Sequence, residues 1–158
     1  IGGTDEWIDY WKKQCDSIGL NNIVFHGYVR NDLVNGYYSK MDITILPFSS
    51  EIFFHKKKKK EDNIGRWISP LKLFEAMANG KAIIVSKIPS IEEVLVNGKD
   101  AILVDPFDAE KWIKSLDELS ENAKLRNELG ENAKAKLEKE YTWENRAHRI
   151  SLLFNKED

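Results

Sequence analysis

Lys72, Glu75 and Asn79 are set into an otherwise apolar run, Ser69-Pro-Leu-Lys-Leu-Phe-Glu-Ala-Met-Ala-Asn-Gly80. Wound as a helix at about 100° per residue, the three fall within an arc of about 60°. Leu71, Leu73, Phe74, Met77 and Ala78 take most of the remaining circumference, so the spacing predicts a nearly buried helix with one narrow polar slot. Ser69 suits an N-cap, Pro70 the first helical position and Gly80 the residue just past the end. Free N–H groups and the macrodipole at such a helix start favour an anion. Lys72 adds a cation there, where the dipole alone disfavours one. Glu75 lies about 4.5 Å further along the axis, a poor neighbour for phosphate but a good acceptor for a sugar diol. A nucleoside diphosphate satisfies the whole set, with phosphates at the cap and ribose hydroxyls on Glu75. The bland alternative is an i, i+3 ion pair on a solvated edge, worth ~0.2–0.5 kcal/mol.

The elements that must hold this helix alternate. Asp5 to Ile18 carries Trp7, Ile8, Trp11, Cys15 and Ile18 at helical spacing. Asn22 to His26 is a short β-branched and aromatic run read as a strand, followed by Gly27. Asp32 to Met41 reads as a helix despite Gly36, and Asp42 to Phe48 as a strand that Pro47 ends. A long loop over residues 49–68 precedes the Ser69 helix. Lys81 to Ser86 and Ala101 to Val104 are apolar strands, with a short helix over Ser90 to Val96 and an Asn97-Gly98 turn between them. From Ala109 onward the pattern is helical, with Gly130 and the cap-like Thr142 expected to divide it into three. Short apolar strands alternating with helices imply an α/β fold, a Rossmann-like parallel sheet flanked by helices. Ligands bind such sheets beyond the carboxyl ends of the strands.

The 158 residues suffice for one domain, and no linker or repeat divides residues 1–158. A formal charge of −2 gives no sign of a nucleic-acid binder. The single cysteine, Cys15, cannot form an internal disulfide, and no Cys/His cluster has metal-ligand spacing. We therefore expect a reducing, cytoplasmic setting and no metal. No apolar run approaches the ~20 residues needed to span a bilayer. Ile1-Gly2-Gly3 reads as a strand end running into a turn, so we expect a piece of a longer protein.

The stretch Ser69 to Glu93, SPLKLFEAMANGKAIIVSKIPSIEE, resembles the C-terminal, donor-binding domain of GT-B-fold glycosyltransferases of the group 1 (family 4, retaining) type. The resemblance continues through NNIVFHGYV, DLVNGYYSKMDITILPF and VNGKDAILVDPFDAEKW to the tail with TWEN, covering nearly the whole chain. It implies that a UDP- or GDP-sugar binds between two Rossmann-like domains, of which this is one. Glu75 then matches the second carboxylate of the Glu-x7-Glu motif and contacts the ribose. Ser69, Pro70, Leu71 and Lys72 match the helix start that holds the diphosphate, with Lys72 assisting leaving-group departure. Gly27, Tyr28 and Val29 match a loop lying against the base, though Gly27 also reads as a plain tight turn. Where the first carboxylate should stand the chain has Trp67, which could stack on a sugar face or anchor the loop. The resemblance also implies a glycan or lipid-linked acceptor held by an absent N-terminal domain, so this piece alone should not catalyse transfer. The alternatives are a GT-B-fold sugar-nucleotide epimerase and a Rossmann-like interaction module without a ligand.

Other features carry weaker readings. Lys56-Lys57-Lys58-Lys59-Lys60 could draw the protein peripherally to anionic lipid, or form a solvated loop. His26, His55 and His148 are dispersed and form no catalytic constellation; His26, at a strand end, could face the cleft but reads more readily as a core residue. Trp7, Trp11, Trp112 and Trp143 read as packing, and the charges from Asp108 to Glu140 as solvated pairs on exposed helix faces.

Overall fold

A computed structural model describes residues 2–49, 51–52, 63, 65 and 71–154. It divides into two compact units, residues 1–40 and 41–158. The expectations for Trp67, Ser69, Pro70, His55 and the Lys56–Lys60 run fall outside the described residues.

The second unit holds the sheet. Strands β1 (Ile43–Leu46), β2 (Ala82–Ser86) and β3 (Ile102–Val104) are parallel in the order β1-β2-β3. Register runs Ile43 to Ala82 and Leu46 to Val85 on one side, and Ile84 to Ile102 and Ser86 to Val104 on the other. Every residue of β2 is buried, which is why KAIIVS reads as a continuous apolar run and not an alternating one. Helices α3 (Leu71–Ala78), α4 (Pro89–Glu92), α5 (Ala109–Glu121), α6 (Ala123–Glu140) and α7 (Trp143–Phe154) complete the unit. Ala82, Ile84, Val104, Leu119 and Leu129 form a buried cluster, with Trp112, Leu116 and Leu125 packed around it. Helices α5 and α6 therefore cover the sheet face that Ala82 and Ile84 share.

Gly130 does not divide the last helices. It lies inside α6, where a Cβ would come within 2.2 Å of Gly80 O and 2.8 Å of Gly80 C. The glycine marks close backbone approach, a role indistinguishable by composition from a helix end. The break falls instead at Asn122, whose Oδ1 accepts from Leu125 N at 3.0 Å. Arg126 Nη1 fastens that corner by donating to Leu119 O and Ser120 O. Thr142 does begin α7: its Oγ1 accepts from Asn145 N at 3.2 Å, while Asn145 Nδ2 donates back to Lys139 O at 2.8 Å and Glu138 O at 3.2 Å.

The first unit contains α1 (Asp5–Ser17) and α2 (Asn31–Tyr38). Asn22 to His26 forms no strand: Ile23 and Val24 are exposed and no ladder pairs them among the described residues. β-propensity expresses fit to a paired, half-buried surface, and without a neighbour the run stays irregular. Trp7 and Trp11 are exposed and stack edge-on with Tyr10, and Trp143 is 80% exposed. Of the four tryptophans read as packing at core or interface positions, Trp112 is the one packed against the buried cluster, its Nε1 donating to Asp105 O at 3.0 Å. His26 is also exposed, against the expectation of a core residue, with its ring edge-on to Tyr37 at 4.8 Å.

Two glycines test these contacts in opposite directions. Gly130→Ala should lower stability by about 1–3 kcal/mol, because the methyl meets backbone that cannot yield. Gly36→Ala, inside α2 with open space around it, should raise stability by about 0.4–1 kcal/mol. Denaturant midpoints of the two variants check both signs.

Candidate functional site

Helix α3 ends four residues before β2 begins, so its last turn lies at the amino edge of the sheet and Leu71 points the way to the carboxyl edge. Its stop is well determined. Gly80 has φ +61°, Lys81 N donates to Ala76 O and Gly80 N to Met77 O, the paired bonds of a Schellman end. The expected role of Gly80 is thereby met.

The face of α3 is broader than the sequence suggested. Leu73, Ala76 and Met77 are fully buried and Phe74 is half-buried against the Tyr141 ring at 5.5 Å. Leu71, Lys72, Glu75 and Ala78 are exposed, Leu71 at 74%. In projection these four with Asn79 span about 120°, an open face and not a narrow slot. Leu71 and Ala78 were expected in the core; apolar type alone does not tell which side of a helix start meets the sheet. Asn79 leaves the polar set, because its Nδ2 donates to Glu75 O at 2.9 Å and serves the helix end. The Glu75 carboxylate makes no ion pair among the described residues, so the i, i+3 pair with Lys72 is not formed.

Two other helices start at the same carboxyl edge. Pro89 opens α4 three residues after β2. Asp108 caps α5, its Oδ1 accepting from Lys111 N at 3.0 Å, and Asp105 Oδ1 accepts from Phe107 N at 2.9 Å to shape the turn before it. Sequence reasoning passed over Ser86 and Ser90 at this edge. Both hydroxyls are buried without a hydrogen-bond partner among the described residues, although such groups are ordinarily satisfied by protein, water or a bound group. A serine closing an apolar strand was the available signal. Among the described residues no group of three His, Cys, Asp or Glu side chains could hold a metal, and no helix is long and apolar enough to cross a membrane.

Gly27, Tyr28 and Val29 belong to the first unit. Gly27 has φ +65° and its carbonyl accepts from Gly2 N; a Cβ there would lie 3.3 Å from Ile8 Cδ1. Tyr28 is 80% exposed. Arg30 and Asp32 close a bidentate pair at 3.0 and 2.7 Å just beyond, both ends solvated and so of small energetic weight.

The family profile described as glycosyl transferases group 1 matches residues 1–136. Lipopolysaccharide 1,2-N-acetylglucosaminetransferase of Salmonella typhimurium is 28% identical over 149 residues, covering 92% of this chain and 35% of that protein. The chain spans about a third of the length of the curated relatives it matches. The C-terminal domain of a group 1 family glycosyl transferase from Francisella tularensis superposes with a TM-score of 0.64 at 22% identity, over 89% of this chain and 66% of that one. The Anabaena protein HepE, solved in complex with UDP, superposes with a TM-score of 0.74 at 16% identity, over 96% of this chain and 37% of that one. The parallel sheet with flanking helices is thus the fold of a GT-B C-terminal domain.

Burial makes a direct check on how α3 is turned. Leu71→Ser should change stability by less than about 0.5 kcal/mol, whereas Leu73→Ala should cost about 2–5 kcal/mol. Equal losses in thermal unfolding would mean that α3 is rotated from the orientation described.

Proposed function

The chain belongs to the group 1 glycosyl transferases, and from that premise we propose that it binds the nucleoside-diphosphate-sugar donor of a hexosyl-type transferase. The observation that carries the reading is the open face of α3, which presents Lys72 and Glu75 at a helix whose start turns toward the carboxyl edge of a parallel sheet. That edge is where such sheets receive ligands, and a helix start is suited to diphosphate. In this reading the backbone N–H groups of Ser69, Leu71 and Lys72, with the Lys72 ammonium, take the phosphates, Pro70 shapes the helix start without donating, Glu75 takes the ribose hydroxyls, and Gly27 to Val29 lie against the base. UDP is the first nucleotide to test, because HepE is solved with UDP and with UDP-glucose.

The chemistry asked of these residues is electrostatic. As the bond from the anomeric carbon to the terminal phosphate oxygen breaks, negative charge grows on the departing diphosphate. A preorganised helix start and a nearby ammonium stabilise that charge without a metal ion. The acceptor hydroxyl forms the new bond on the same face and gives its proton to the leaving phosphate, so configuration is retained and no covalent enzyme intermediate forms. The acceptor, a glycan or lipid-linked sugar, would be held by another domain, and this chain alone would not turn over. The Lys56–Lys60 run would bring the intact enzyme to the inner face of the membrane, where lipid-linked acceptors lie.

Glu75→Ala in the intact protein should weaken binding of the cognate UDP- or GDP-sugar by about tenfold or more, the loss of ribose hydrogen bonds to a charged acceptor. Lys72→Ala should chiefly lower kcat, because its contact strengthens as charge develops. Titration calorimetry and steady-state rates measure the two separately. Unchanged donor affinity in Glu75→Ala would overturn the assignment of that carboxylate.

A further inference from the structure

The amino edge of the sheet carries a second concavity, remote in topology from the start of α3. The turn from Asn97 to Asp100 leads into β3, and α6 lies alongside it. Between them is a cavity of about 340 Å3 lined by Lys99 and Asp100 of the turn and by Asn132, Ala135, Lys136, Lys139 and Glu140 of α6. The five α6 residues recur at helical spacing and so share one face. Ligand sites commonly occupy about 300–1,000 Å3, so the volume suits a small molecule.

The polar groups here differ in how far they are already committed. Asp100 is 2% exposed and its Oδ2 accepts from Lys136 Nζ at 3.0 Å and from Val96 N at 3.0 Å. Lys136 is therefore fixed in the wall, and the charge of Asp100 is met. Asn132 Nδ2 donates to Lys99 O at 2.9 Å, which holds the turn onto the helix. Lys99 and Lys139, by contrast, make no ion pair among the described residues. Both belong to the lining, and an anion held between two lysines is met by charge-assisted hydrogen bonds. Glu140 adds a carboxylate to the same wall, unfavourable to a bare anion but suited to accepting from a hydroxyl. We propose that this cavity binds a small phosphate monoester bearing hydroxyl groups, with the phosphate on Lys99 and Lys139 and a hydroxyl on Glu140. The site is independent of the donor reading, since it uses none of the same residues and lies at the other edge of the sheet.

The 15N-labelled chain titrated with glycerol phosphate, and separately with inorganic phosphate, tests this by amide chemical shifts. Saturable shifts are expected at Lys99, Asn132, Lys136 and Lys139, with glycerol phosphate binding more tightly than inorganic phosphate. The double variant Lys99→Gln/Lys139→Gln, both at exposed positions, should weaken binding by about tenfold or more. Glu140→Gln should narrow the difference between the two probes. The proposal is overturned if no saturable shift appears at these amides, if the double variant binds as well as the parent, or if shifts occur only at Leu71 to Leu73. That last pattern would place the phosphate at α3, leaving the donor reading intact.

Discussion

Backbone lies against backbone where α6 crosses the end of α3, and the second unit is arranged around that contact. Gly130 and Gly80 bring the two backbone segments closer than any side chain would allow. The approach seats Leu129 and Ala133 in buried positions beside the glycine and holds the turn from α3 into β2. Because Gly80 is also the left-handed residue that ends α3, one contact fixes both where the helix stops and where the central strand starts. The far end of α3, with Lys72 and Glu75, inherits its position from this anchor. A site built on the first turns of a helix needs the last turn to be immobile.

The parts of the fold that were legible in the sequence were those where one local rule decides the outcome. KAIIVS is central because both faces of β2 are buried, and an apolar run of that length has few other solutions. Gly80 and Thr142 acted as helix stop and start because left-handed φ and a hydroxyl acceptor are local needs. The failures came where a partner decides. Gly130 is a packing glycine only because Gly80 lies opposite it. Asn22 to His26 has the composition of a strand and, among the described residues, no strand pairs with it. Trp7, Trp11 and Trp143 have helical spacing, but periodicity marks a face without saying that anything covers it.

The candidate site was legible in kind and not in shape. Lys72 and Glu75 do share an exposed face of α3, as their spacing required. The width of that face depends on how the helix is turned on the sheet, and three fully buried residues, Leu73, Ala76 and Met77, set that rotation. Asn79 illustrates the limit of projection: its direction is right, yet the helix end claims its amide. Asp100 and Lys136 show the converse. Alternating charges on α6 look like a solvated surface, and only a turn 36 residues earlier converts one of them into a buried pair.

The corner between α6 and α7 has a mechanical meaning. Asn145 bonds two carbonyls of the preceding helix while its own N–H is taken by Thr142, yet α7 itself buries no residue. Direction is thus secured by hydrogen bonds at the pivot, separately from adhesion along the shaft. The last helix behaves as a spoke clamped at its hub, whose apolar rim, Leu153 and Phe154 included, can be sheathed by other surfaces without disturbing the packing from which it projects.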